Sequence, residues 1–329
     1  MKAQQIDLLN IGLIVLSAVL AYLFPLQLFI VAFAVLGPIH YFTEISWLDK
    51  KNYFTNQPKK YWLIIGIIAS AAIVFPKLYF FFFDNDSAFS EGVLSFNQWT
   101  NGLIFLTIVL SVGFVFIHKK VGWIILMLIG VIGAILLNDS DMYRTLIGLL
   151  VPTVIHVYFF TLLFMLYGAL KSKSKRGYLA VLLALAVPVV FAFLKLEEHT
   201  YLFSDQMKSI YLENNFHSTP TLFAKFIGIS DGKSFFFYGT MELKLMMFIS
   251  FIYLYHYLNW FSKTSIIGWH KNLTTRTTLT IVVAWIILLG LFYYDYRAGF
   301  VFVLFFSFLH VILEFPLNLV SIKGIFVRK

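Results

Sequence analysis

Residues 121–138 read VGWIILMLIGVIGAILLN, an apolar run without a charged side chain. An α-helix needs about 20 predominantly apolar residues to cross the roughly 30 Å of hydrocarbon in a bilayer. Two lysines, Lys119 and Lys120, stand immediately before the run, and two aspartates, Asp139 and Asp141, follow it closely. The stretch therefore predicts a transmembrane helix with a basic end and an acidic end.

Runs of the same kind occur along the whole chain. They lie at about 8–24, 26–48, 61–83, 101–118, 121–138, 146–170, 178–195, 241–261, 277–294 and 299–320. The 329 residues are 60% hydrophobic and 12% charged, whereas soluble domains carry about 25% charged residues. This composition excludes an ordinary soluble domain, a disordered or collagen-like chain and a nucleic-acid-binding domain. We expect an all-α, polytopic integral membrane protein with about ten transmembrane helices, in which residues 1–329 form a single membrane domain.

The distribution of lysine and arginine predicts how these helices are oriented. If the N-terminus is cytoplasmic, the links after even-numbered helices and the C-terminal tail are cytoplasmic too. Those segments contain Lys50, Lys51, Lys59, Lys60, Lys119, Lys120, Lys171, Lys173, Lys175, Arg176, Lys263, Lys271, Arg276, Lys323, Arg328 and Lys329. The short links on the opposite side contain only Lys77, Arg144 and Arg297. Because short cytoplasmic links are rich in basic residues, both termini are predicted to be cytoplasmic. The membrane is predicted to be the inner (cytoplasmic) membrane. The net charge of +9 then reflects topology, and no nucleic acid is expected as a partner.

Residues 196–240 interrupt the regular succession of helices with a long external segment. Within it, SDQMKSIYLENNF predicts a surface helix whose N-cap is Ser204 or Asp205, since both residue types are favoured there. Loops of this length are often lids or binding segments. The segment is therefore a possible cap over a site, and a plain external cover is the alternative.

Four histidines fall inside predicted helices. His40 lies in GPIHYFTEISW, His156 in VPTVIHVYFFT, His256 in FIYLYHYLNWF and His310 in FSFLHVILEFPL. All four belong to even-numbered helices, which run in the same direction, and their depths agree within roughly 8 Å at the helical rise per residue. Four imidazoles at one level of a helix bundle can converge on one point.

Two acidic residues accompany these histidines. Glu44 follows His40 by four residues, and Glu314 follows His310 at the same spacing, so each pair shares one helix face. Charged groups within a membrane are rare and usually functional. We expect Glu44 and Glu314 to take part in catalysis by orienting a histidine, or to complete a ligand set.

The chain contains no cysteine, which excludes thiolate zinc sites, iron–sulfur clusters and cysteine nucleophiles. Imidazoles with nearby carboxylates suit iron, zinc, copper or nickel, and histidine-bound iron(II) with open positions activates dioxygen. A haem between two histidines fits the same residues. Helix-to-helix hydrogen bonding and a proton relay in a transporter are further alternatives, although no inverted repeat is visible.

Aromatic residues surround the histidines in the sequence. Tyr41, Tyr158, Tyr257 and Trp260 lie within four residues of His40, His156 or His256. Rings of this kind can line a tunnel for a long, flat, apolar substrate. Most other rings of the chain are accounted for by the aromatic belts that form at membrane interfaces.

At these histidines the chain resembles the integral-membrane β-carotene 15,15′-dioxygenase family of bacteria and archaea, the Brp/Blh type. GPIHYFTE is similar to the first histidine segment of the family, IHVYFFT to the second, YLYHYLNW to the third and LHVILEFP to the last. The order of these segments extends over nearly the whole chain. Three features depart from the family pattern, and the first is the shifted placement of Pro38 and His40 within GPIHYF. Trp260 stands where the third segment has a second histidine, and Glu44 and Glu314 replace aspartates.

The resemblance implies a non-haem iron(II) oxygenase that uses dioxygen to cleave the central double bond of β-carotene into two molecules of retinal. His40, His156 and His256 would be metal ligands, and His310 or a carboxylate would complete the shell. The implied partners are a lipophilic small-molecule substrate, dioxygen and the lipid bilayer. The alternative function is a transporter or a membrane-embedded subunit of a complex, in which the His/Glu pairs serve proton coupling or helix packing.

Overall fold

A computed structural model describes residues 3–83, 87–196 and 201–327. These residues form helices and connecting turns, with no strand among them. The α-helices are α1 (Ala3–Leu23), α2 (Pro25–Lys50), α3 (Lys59–Phe82), α4 (Ala88–Asn97), α5 (Thr100–Phe116), α6 (Lys120–Leu137), α7 (Asp141–Tyr143), α8 (Thr161–Ser172), α9 (Lys175–Phe193), α10 (Asp205–Glu213), α11 (Ser218–Phe226), α12 (Thr240–Ser262), α13 (Thr264–Ile267), α14 (Thr275–Tyr294) and α15 (Tyr296–Phe326). A π-helix, Arg144–Phe160, connects α7 to α8, and short 3-10 turns lie at Asn52–Phe54 and Trp269–Asn272.

The predicted fold class, an all-α polytopic membrane protein, is confirmed. Nine stretches in the described part of the chain are long and apolar enough to cross a bilayer: Gln4–Leu23, Pro25–Lys50, Lys59–Phe82, Ala88–Phe116, Lys120–Leu137, Asp141–Ser172, Lys175–Phe193, Thr275–Tyr294 and Tyr296–Phe326. The remaining predicted span, 241–261, is present as the 23-residue helix α12. Its tyrosines, histidine and asparagine lower its mean hydropathy, so α12 is not among the nine. The orientation of the helices stays a prediction, and Arg328 and Lys329 lie outside the described residues.

The chain divides into two compact units. The first comprises residues 1–40, 153–271 and 325–329, and the second comprises residues 41–152 and 272–324. In the first unit, α12 packs against α1, α9 and α11, while α9 also packs against α1 and α8. The side chains of residues 245–257 on α12 are all buried. A helix that is apolar on all sides is typical of the interior of a helix bundle, and α12 is the central helix of this unit.

In the second unit, α3 packs against α4 and α5, and α5 packs against α6. Gly66 on α3 permits a close approach to α15, because a Cβ atom at this position would lie 2.9 Å from Leu313 Cδ2. The indole Nε1 of Trp62 donates a hydrogen bond to the Leu313 carbonyl oxygen at 3.4 Å. Small residues at helix contacts are typical of membrane bundles, where close packing replaces the hydrophobic driving force.

The predicted surface helix in the external segment is α10. Its N-cap is Ser204, whose hydroxyl accepts a hydrogen bond from the Met207 amide. Rings of this segment pack onto α2: Tyr211 and Phe216 contact Phe29 with centroid distances of 6.3 and 5.0 Å. We call residues 201–240 the external cap. Residues 197–200 of the predicted segment lie outside the described residues, and the role of the cap as a lid stays a prediction.

Candidate metal centre

His40 and His256 form the closest pair of the predicted site. His40 lies on α2, two residues after Pro38, and His256 lies in the C-terminal third of α12. Their Nε2 atoms are 3.0 Å apart, and the two rings meet edge to face at a centroid distance of 4.7 Å. Both side chains are buried, so water does not compete for these nitrogens. The two Nε2 atoms share one small region of space, as ligands of one ion do.

His156 joins this pair from the π-helix. Its ring centroid is 5.1 Å from that of His256. The π-helix contains Pro152, which has no amide hydrogen for the backbone hydrogen bonds of a helix. π-Helices are rare, and they occur frequently at functional sites. The π-helix therefore contains the histidine that contributes the third imidazole to the site.

The four predicted histidines form one group. His40, His156, His256 and His310 each offer a ring nitrogen, and these nitrogens all lie within 4.8 Å of one another. The exposed fractions of the four side chains are 1%, 2%, 8% and 2%, respectively. A buried set of converging imidazoles can hold a metal ion. The convergence predicted from the depths of the four histidines is confirmed.

The surroundings of His310 determine which of its nitrogens is available. Its Nδ1 lies 3.3 Å from the carbonyl oxygen of Phe306, one turn earlier on α15. A carbonyl oxygen only accepts, so Nδ1 carries the proton and Nε2 keeps the lone pair that a metal needs. Tyr41 stacks on the same ring at 4.2 Å with an interplanar angle of 23°. These two contacts hold the ring in an orientation suited to ligation through Nε2.

Thr161 is a member of the site that the sequence did not suggest. Its hydroxyl lies 2.8 Å from Nδ1 of His256, on the side of the ring opposite the contact with His40. Thr161 is the first residue of α8 and is buried. Partners of this kind fix the orientation and tautomer of metal-binding histidines. The sequence offered no signal, because threonines are common in membrane helices.

The four aromatic residues predicted to line a tunnel take different positions. Tyr257 and Trp260 lie beside His40 with ring centroids at 5.3 and 5.6 Å, and Tyr41 stacks on His310. Tyr158 instead donates its hydroxyl hydrogen to the Ala184 carbonyl oxygen at 3.1 Å. Its ring contacts Phe248 on α12 at 5.5 Å. Tyr158 thus connects the π-helix to α9 and α12, while the other three rings surround histidines of the site.

Glu44 and Glu314 are buried within their helices. Their side chains are 2% and 3% exposed, respectively. Because an unpaired carboxylate is very unfavourable in such surroundings, each carboxyl group must be neutral, paired or bound to a cation. Their catalytic role stays a prediction.

A charged pair lies beyond the end of α12. Burial lowers the pKa of Lys263 to about 8, and the opposite charge of Asp7 on α1 limits the decrease. Asp7 also accepts a hydrogen bond from the hydroxyl of Ser174, the N-cap of α9. The hydrogen bond joins α1 to α9, and the charge of Asp7 acts on Lys263 just beyond the end of α12, the helix that carries His256.

Comparison of the chain with protein-family models, curated proteins and solved structures finds no match.

Proposed function

We propose that this chain is a membrane metalloenzyme, a non-haem iron(II) oxygenase that cleaves an apolar polyene such as β-carotene, to retinal, with dioxygen. The observation that supports the proposal is the buried group of four histidines, whose ring nitrogens lie within 4.8 Å of one another. Isolated histidines in a membrane often serve as hydrogen-bond partners between helices. Four that converge in a buried place are arranged like the ligands of a single ion.

The distances favour one small ion. Metal–nitrogen bonds of about 2.0–2.1 Å place neighbouring ligand nitrogens about 3.0–3.4 Å apart. The 3.0 Å between the Nε2 atoms of His40 and His256 agrees with this spacing. A haem already fills four positions of its iron with porphyrin nitrogens and takes axial ligands from opposite faces. Four converging imidazoles therefore suit a mononuclear, non-haem ion better than a haem.

The nature of the ligands narrows the choice of metal. Neutral imidazoles bind iron, zinc, copper and nickel, whereas magnesium and calcium prefer oxygen ligands. Iron is proposed because the histidine segments resemble those of the membrane carotenoid dioxygenases. Bound at this site, iron(II) would supply the activation of dioxygen.

The protein residues have separate tasks in this proposal. His40, His156, His256 and His310 hold the ion, and their burial excludes bulk water. Tyr257 and Trp260 offer flat apolar surfaces beside His40, which suit a conjugated chain. The substrate would reach the site from the lipid bilayer. Glu44 and Glu314 would orient groups around the site or hold a proton there.

Metal analysis of the purified protein tests the metal site. The expected result is close to one equivalent of iron after anaerobic reconstitution, and loss of most of it in His256→Ala. His270→Ala is the matched control, because His270 is exposed and does not belong to the group. Iron far below one equivalent, or equal iron in both variants, would overturn the proposal.

Expression in carotenoid-producing cells tests the reaction. Wild-type protein is expected to bleach the orange pigment with the appearance of retinal, and His256→Ala is expected to leave the colour unchanged at equal expression. If the wild type binds iron but leaves the pigment intact, the metal site stands and the carotenoid substrate is wrong. If it binds no metal and Glu44→Gln abolishes a pH-dependent flux or the assembly of a complex, the transporter or subunit function replaces the oxygenase.

A further inference from the structure

We infer that Thr161 is a positioning residue, which holds the imidazole of His256 in the tautomer and orientation that bind the metal through Nε2. This inference rests on the proposed metal site and extends it to a residue outside the ligand set. It concerns three side chains of the first compact unit, His40, His256 and Thr161.

The two nitrogens of His256 face different partners. Nε2 is directed at the Nε2 atom of His40, 3.0 Å away, and therefore at the place where the four histidines converge. Nδ1 is 2.8 Å from the hydroxyl oxygen of Thr161. The contact is buried, since His256 is 8% and Thr161 is 3% exposed. Rotation of the ring would break both contacts together.

The chemistry of imidazole links the two contacts. A neutral imidazole that binds a metal through Nε2 carries its single proton on Nδ1. That N–H group needs an acceptor, because an unsatisfied buried donor is unfavourable. In the metal-bound form the hydroxyl oxygen of Thr161 accepts this hydrogen bond. Loss of such a partner typically weakens metal binding by about 10–100-fold.

The π-helix explains how Thr161 reaches His256. His156 and Thr161 are five residues apart, and both contact the His256 ring. In a regular α-helix, residues five apart point in directions that differ by about 140°. The i→i+5 register of a π-helix brings such residues to the same side. The π-helix Arg144–Phe160 ends directly before Thr161, so one wide turn presents a ligand and a positioning residue to the same imidazole.

A purely structural role of Thr161 makes different predictions. Thr161 is the first residue of α8, and a buried threonine there contributes packing to the helix. Such a role would affect thermal stability in the absence of metal and would leave metal affinity unchanged. Thr161→Val keeps the shape of the side chain and removes the hydroxyl. Thr161→Ser keeps the hydroxyl and removes a methyl group.

Titration of the ion-free, detergent-solubilised protein with Co²⁺, followed by its visible spectrum, tests the inference. Thr161→Val is expected to weaken Co²⁺ binding by about 10–100-fold and to shift the Co²⁺ absorption bands. Thr161→Ser is expected to bind Co²⁺ like the wild type. In a His256→Ala background, Thr161→Val is expected to have no further effect, since its partner is absent.

The outcomes separate the inference from the proposed function. Failure of the wild type to bind Co²⁺ or Fe²⁺ overturns the metal site and this inference with it. Normal binding by Thr161→Val overturns the inference alone. If Thr161→Val does not fold, the serine variant decides: weakened binding by Thr161→Ser contradicts the inference, since the hydroxyl is still present. Equal effects of Thr161→Val with and without His256 also contradict it.

Discussion

Replacement of Gly299 by alanine tests the tight turn that leads into α15, the helix of His310 and Glu314. Asp295 is the only residue between α14 and α15. Its carboxylate accepts a hydrogen bond from the Arg297 amide at 2.8 Å, and its carbonyl oxygen accepts one from the Gly299 amide at 3.0 Å. The turn therefore leaves Gly299 directly against the end of α14.

The contacts of an added methyl group determine the size of the effect. A Cβ atom on Gly299 would lie 2.5 Å from Phe292 Cγ and 2.8 Å from Phe292 Cα. The second atom belongs to the backbone, so a change of side-chain rotamer cannot relieve the overlap. Overpacking of this kind costs about 1–3 kcal/mol, which exceeds the roughly 0.5–1 kcal/mol that alanine gains over glycine within a helix. The net effect of Gly299→Ala is a destabilisation of about 0.5–2 kcal/mol.

Gly290→Ala provides the matched control. Gly290 lies on α14, and a Cβ atom there would meet nothing within 4 Å. Thermal unfolding in detergent should show a lower melting temperature for Gly299→Ala and an equal or higher one for Gly290→Ala. Co²⁺ affinity should fall in the first variant only, because displacement of α15 moves His310. Equal melting temperatures for Gly299→Ala and the wild type would refute the reasoning.

The remaining predictions concern the metal site, His217 in the external cap and Ser174 at the N-cap of α9. Co²⁺ at about 100 times its Kd should stabilise the wild type by about 2.7 kcal/mol. The stabilisation by Co²⁺ should be much smaller for His156→Ala and unchanged for His270→Ala, as measured by the shift in melting temperature. Equal stabilisation of both variants would contradict the metal site. Burial lowers the pKa of His217 in the external cap, so its contribution to stability is complete above about pH 6.5 and decreases as the pH falls below that value. Limited proteolysis should therefore show an acid-sensitive cap, and His217→Gln should reduce this sensitivity; an identical pH profile would exclude His217 as its cause. Ser174→Ala removes the N-cap of α9 and the hydrogen bond to Asp7. The substitution should lower the free energy of unfolding by about 0.5–2 kcal/mol. An unchanged melting temperature would show that this N-cap does not stabilise the protein.

The histidine group was predictable from the sequence because helix geometry relates residue number to depth. His40, His156, His256 and His310 lie at similar positions in helices predicted to run in the same direction, and a constant rise per residue predicts one level for all four. The rotation of each helix about its axis was not predictable, because the apolar residues lie on all sides of α2, α12 and α15. Without a polar face, the sequence does not reveal which direction a side chain points. The distances to ring nitrogens therefore come from the structure alone.

Thr161 and α12 show two other limits of prediction. The expected α-helical spacing separates Thr161 from His156, and only the π register brings them to the same imidazole. Hydrogen bonds of the π type depend on packing by other helices, which local sequence does not encode. The length of the apolar stretch 241–261 predicts α12, although the polar residues of this helix reduce its mean hydropathy. Its burial explains the difference, since neighbouring helices cover those polar groups.

The π-helix Arg144–Phe160 would also make the backbone dynamics of this segment depend on the proposed metal. A shift of helix register by one residue would rotate a side chain such as His156 by about 100°. In the π register His156 faces His256, so an ion bound by both histidines would stabilise that register by linkage. Without the ion, the backbone hydrogen bonds of this segment lose that support and open more readily. Amide hydrogen exchange along 144–160 would then report metal occupancy from a segment more than three turns long.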